Sequence, residues 1–136
     1  MTPTEHALIQ ASYDRLRPRL LPLVEHFYAD LFTRDPALRA YVPADLRRQT
    51  FKFLDTLAVV VSHLDRPGRN TPMLHALGAS HAGYGATPAT YATVEAALLA
   101  TLAAALGSGW TPDVAAAWTT LYREIATAMQ AGGGSH

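Results

Sequence analysis

The chain has 136 residues, 49% of them hydrophobic and 16% charged, enough apolar content to close one core and too much for a disordered segment. Eleven basic residues balance eleven acidic ones, which leaves no electrostatic footprint for nucleic acid and no polybasic patch for a membrane surface. Cysteine is absent, excluding disulfides, zinc–thiolate and iron–sulfur ligation and thioether-linked groups, and fitting a reducing, cytoplasmic setting.

No apolar run approaches the roughly 20 residues that cross a bilayer, and the N-terminus lacks a signal-peptide pattern. The ending "GGGSH" reads as a floppy tail. One folded domain is therefore expected over residues 1–131, followed by a flexible tail over 132–136.

Apolar residues recur at three- and four-residue steps almost throughout, which predicts helices rather than strands. The first helix opens at "TPTEHALIQASYDRL", with Thr2 and Glu5 at capping-box spacing and Ala7, Leu8, Ala11 and Leu16 on roughly one side. Pro18 and Pro22 interrupt it or mark a new first turn. Leu20, Val24, Phe27, Tyr28 and Leu31 then form the stripe of a second helix, which stops near "RDPAL". An irregular piece leads to "YVPAD", where Asp45 can cap a third helix striped by Leu46, Gln49, Phe53, Leu57, Val60 and Leu64.

After the breaker "DRPGRNTP" a helix of about three turns is predicted from Thr71–Pro72 through "LHALGASH". A long helix follows "GYGATP", aligning Tyr91, Val94, Leu98, Leu102 and Leu106, and the last carries Val114, Trp118, Leu121, Tyr122, Ile125 and Met129. The fold class is all-α, with about six main helices. Periodicity alone leaves an up-down bundle and a globin sandwich open.

At about 100° per residue, His81 shares the apolar stripe of Leu74 and Leu77. His75 is rotated about 120° off that stripe, His26 nearly opposes Tyr28, and His63 stands about 80° from the axis set by Phe53. His6 and His136 are terminal. Of the six histidines, His81 alone points inward. An inward histidine is commonly a core residue with a hydrogen-bonded ring. Two further polar residues sit on apolar stripes, Gln49 and Tyr28. Burying either unpaired costs on the order of 1–3 kcal/mol, so each needs a partner. Gln49 in a first turn can be solvated, and Tyr28 can bond a backbone carbonyl.

Taken together these residues resemble the bacterial globins, both the single-domain bacterial haemoglobins and the haem domain of flavohaemoglobins. The resembling segments are "EHFYADLFTRDPALRAYV", "RRQTFKFLDTLAVVV", "LGASHAGYGATPATYATVEAALLATL" and "AAAWTTLYREIATAM", covering nearly the whole chain in order. Gln49 precedes His81 by 32 residues, and Tyr91 follows His81 by ten with Pro88 three before it.

The resemblance implies a three-on-three globin sandwich around haem b. His81 would be the iron ligand, its second ring nitrogen given to a carbonyl near Leu77. Tyr28 and Gln49 would form the distal pocket and carry any catalytic role, donating hydrogen bonds to bound dioxygen, which takes on negative charge. Phe53 would press on the gas from the apolar side, and Val42, Leu77, Tyr91, Val94 and Tyr122 would line the haem. The glycines after His81 would let the chain turn closely past the haem edge. High oxygen affinity is implied, and so is possible dioxygenation of nitric oxide to nitrate.

Three departures from the family pattern stand out. The phenylalanine that wedges against haem is replaced by Val42, beside Tyr41; the acidic partner of Tyr91 late in the last helix is missing, its position falling near Gly133; and nothing resembles a flavin domain. Implied partners are diatomic gases (dioxygen, nitric oxide, carbon monoxide) and an external reductase, with neither nucleic acid nor membrane, and with a monomer or homodimer equally compatible. Oxygen storage or delivery, nitric oxide detoxification and sensing are not separated at this level. Two other classes remain: a haemless helical module that binds a protein or lipid, and an electron-transfer haem protein in which Tyr28, Gln49 or His63 also ligates iron.

Overall fold

The computed structural model describes residues 1–41, 46–83 and 86–133. Six α-helices account for most of them: α1 Pro3–Leu16, α2 Leu20–Arg34, α3 Leu46–Ser62, α4 Thr71–Gly83, α5 Pro88–Leu106 and α6 Pro112–Gly133. Among the described residues there is no strand.

Local chemistry sets the helix starts. Thr2 Oγ1 accepts the Glu5 N–H at 3.1 Å while Glu5 Oε1 accepts the Thr2 N–H at 3.0 Å, closing the predicted capping box. That backbone bond holds the Glu5 carboxyl below its ordinary range. Thr87 and Thr90 make the same reciprocal arrangement ahead of α5, with Pro88 at the first helical position. Where sequence reading leaves breaks, the structure has short 3₁₀ segments: Arg17–Arg19 around Pro18, Pro36–Tyr41, Pro67–Asn70 and Gly107–Gly109. Such pieces are too short to show a hydrophobic period. Asp45, the expected cap of α3, lies outside the described residues.

α6 is the hub, packing along α4 and against α1 and α5, while α2 lies across α5 and against α3. Two apolar clusters result. One joins Ile9, Leu16, Val61, Leu102, Trp118 and Leu121. The other gathers Val24, Phe27, Tyr28, Leu31 and Ala97, with Phe53 and Val94 packed on it. This second cluster, built by α2, α3 and α5, holds Tyr28, one of the polar residues singled out above.

Two expectations change. Residues Pro88–Gly109 are long and apolar enough to cross a membrane by length and composition, although no such run was expected. Threonines and Glu95 punctuate the segment and hide it, while alanine and leucine carry it. Here it runs through the domain, with Ala97, Thr101, Leu102 and Leu106 buried. α6 also continues to Gly133, two residues beyond the anticipated end of the folded part. Gly132 lies against the His75 backbone, where any Cβ would overlap it.

Candidate functional site

Tyr28 is 5% exposed and sits in an aromatic cage. Its ring meets Phe27 edge-on at 5.2 Å, stacks with Phe32 at 6.0 Å and meets Phe53 edge-on at 6.3 Å. Phe27 and Phe53 touch each other at 5.2 Å. Burial raises the phenol above its ordinary value, and the Gln49 side chain, hydrogen-bonded to it, pulls partly the other way. Burial therefore keeps the Tyr28 phenol protonated through the neutral range. Gln49 is half-buried, one turn before Phe53 on the inward face of α3.

His81 lies in the last turn of α4 and is half-buried. Its Nδ1 is 2.7 Å from the Leu77 carbonyl oxygen, one turn back. A carbonyl only accepts, so Nδ1 carries the proton and Nε2 keeps its lone pair. The His81 carbonyl in turn accepts the Ala86 N–H at 3.0 Å. The residue is tied on both sides by backbone.

The height of α4 is set by Gly78, one turn before Ala82 and buried against α6. A Cβ at this position would overlap the Met129 carbonyl, so the two helices meet backbone to backbone. On α5, Val94 joins the cage around Tyr28, and one turn earlier the Tyr91 carbonyl accepts the Tyr122 hydroxyl at 2.8 Å. Burial first, then the Glu95 charge, push the Tyr122 phenol far up, and burial also raises Tyr91. Glu95 itself pairs with Arg123 at 2.9 Å.

The structure thus brings Tyr28, Phe53 and Val94 into one cluster, with Gln49 beside Tyr28. It links His81 to Leu77 and Tyr122 to Tyr91. Val42 lies outside the described residues. His63 belongs elsewhere: its Nδ1 is 2.9 Å from Oδ1 of buried Asn70, about 20 Å along α3 from Gln49. Sequence reading missed the caging role of Phe32, although its i,i+4 spacing from Tyr28 was available as a signal. It also missed buried Thr50 beside Gln49.

Among the described residues no three of His, Asp and Glu converge as a metal-binding group. A lone imidazole with a fixed tautomer does not hold a bare ion, so a metal here would have to arrive in its own macrocycle. Haem fits that donor set: one imidazole nitrogen left free by the Leu77 bond, and a neutral phenol and carboxamide in an aromatic cage.

The globin family model matches residues 25–129. The flavohemoprotein of Deinococcus radiodurans is 29% identical over 134 residues, covering 95% of this chain. Neuroglobin-1 of Oncorhynchus mykiss is 29% identical over 146 residues, with 97% of this chain and 92% of the relative covered. Leghemoglobin of Psophocarpus tetragonolobus is 25% identical, with 95% of each covered. The chain spans only 33% of the length of the Deinococcus flavohemoprotein. The match over most of the length shows that the chain belongs to the globin family.

Proposed function

We propose that this globin carries haem b on His81 and binds dioxygen reversibly and tightly through Tyr28 and Gln49. Dioxygenation of nitric oxide, with electrons from an external reductase, is part of the same reading. The observation that carries it is the buried Tyr28 phenol inside the cage of Phe27, Phe32 and Phe53, with Gln49 beside it.

Haem b, when bound, supplies a ferrous iron with one position open to a diatomic gas. His81 Nε2 would hold it, and the bond from Nδ1 to Leu77 fixes the ring for that task. Leu77, Tyr91, Val94 and Tyr122 would flank the macrocycle. Tyr28 would offer a hydrogen bond to negative charge on the gas, with Gln49 beside the phenol to hold it in place. Phe27, Phe32 and Phe53 exclude water, which strengthens that hydrogen bond. Nitric oxide, dioxygen and one electron make nitrate, so each turnover consumes an electron that must be returned.

The test is an absorption spectrum of the purified protein as isolated, reduced, and under carbon monoxide. A Soret band that shifts on reduction and again with carbon monoxide is expected. His81→Ala should lose that band or hold haem weakly, with a lower thermal midpoint. Full haem occupancy with an unaltered spectrum in the variant would remove His81 from the ligand role. A chain that stays colourless when offered haemin would end the reading altogether.

A further inference from the structure

Three large hydrophobic side chains are exposed among the described residues, and two of them share the outward face of α3: Phe51 at 48% and Val59 at 37%. Arg48, Phe51, Lys52, Asp55 and Val59 step by three and four residues, so they form one stripe, all of it exposed. Gln49 and Phe53 point the other way, into the site. Residues 46–54 contain Arg47, Arg48 and Lys52 and no acidic residue. Among the described residues Arg48 and Lys52 enter no ion pair. An exposed phenylalanine flanked by unpaired cations has the composition of a small docking surface: an aromatic anchor with a steering rim.

We propose that this face docks a small acidic one-electron carrier protein, with Phe51 as the anchor and Arg48 and Lys52 aligning it. The proposal rests on the haem reading above and names the partner it requires. In the electron step the carrier's reduced iron–sulfur cluster loses one electron and ferric haem iron gains it. No bond or proton changes hands within this chain. The location suits the task, because only the thickness of one helix, about 10 Å, separates the face from Gln49 and Phe53. A second copy of the chain would set like cations against one another, and an anionic membrane would repel Asp55 while gaining little from two separated apolar side chains. An acidic protein matches both the charge and the small anchor.

The test uses the haem-loaded protein and a plant-type [2Fe–2S] ferredoxin as the probe. Reduction of the ferric protein is followed by stopped flow under carbon monoxide, and complex formation with the oxidised probe by calorimetry. At about 10 mM salt the double variant R48E/K52E should react and bind at least about tenfold more weakly than wild type. At about 200 mM salt that difference should shrink by screening. Phe51→Ser should weaken the complex about fivefold and leave the salt dependence unchanged, as expected for an uncharged anchor. Oxygen release should be the same in all three proteins.

Dithionite needs no docking and should reduce wild type and variants alike. If dithionite yields no ferrous spectrum, the haem reading itself has failed. If dithionite works while wild type forms no complex with the probe, or R48E/K52E matches wild type at low salt, the docking face is wrong. Charge-dependent binding to phosphatidylglycerol vesicles without binding to the ferredoxin would overturn it in favour of a membrane.

Discussion

Two polar pairs, one beside each apolar cluster, are built differently. In the first, the Trp118 indole N–H donates to Ser12 Oγ at 2.9 Å, and that hydroxyl donates onward to the Leu8 and Ile9 carbonyls at 2.8 and 3.0 Å. Every proton in the set is spent. In the second, the half-buried Gln49 carboxamide stands beside the Tyr28 phenol inside a cage of Phe27, Phe32 and Phe53. The first pair ties α1 to α6, and the second is walled by aromatic rings. A pair anchored on backbone carbonyls reads as architecture, and a polar group walled in by rings reads as a place for a guest that completes its hydrogen bonding.

The contrast can be broken by mutation. Trp118→Ala should cost about 3–5 kcal/mol of unfolding free energy in denaturant titration, since Trp118 is 2% exposed at the centre of the larger cluster. A loss below about 1 kcal/mol would mean that α1 and α6 are held by something else. Ser12→Ala should cost about 1–3 kcal/mol, because it strands the indole N–H in a dry site. Tyr28→Phe should behave otherwise. It should raise the oxygen dissociation rate at least about tenfold, roughly 1.4 kcal/mol, while moving stability less than Ser12→Ala does. An unchanged release rate would place Tyr28 on the architectural side of the comparison.

A smaller effect appears with pH. Tyr28, Tyr91 and Tyr122 all have phenols raised from the ordinary value of 10.0 chiefly by burial. Below pH 10 they are neutral in both folded and unfolded chains and contribute no pH dependence. Above it the unfolded chain releases protons that the folded one retains, so stability falls as pH rises. The thermal midpoint should drop between about pH 10 and 11, and Tyr122→Phe should flatten that drop. An equally steep drop in the variant would assign alkaline sensitivity to other groups.

Much of the helical frame was legible in the sequence. Thr2, Glu5 and Pro88 announce their helix starts, and the stripes of α2, α3 and α6 mark the faces that end up buried. The register of His81 with Leu74 and Leu77 needed only the helical repeat. What escaped depends on partners far apart in the chain. Nothing near Ser12 names Trp118, 106 residues away. His63 meeting Asn70 depends on a 3₁₀ turn without a periodic signature. The role of Gly78 appears only once Met129 lies against it.

That last contact limits how the imidazole can be adjusted. Where two main chains rest directly on each other, no side chain acts as a shim, and swapping residues on the facing helix cannot raise or lower the ring. Whatever tuning this lineage has done on that side of the ring must then run through the dipole of a single carbonyl, the one at Leu77.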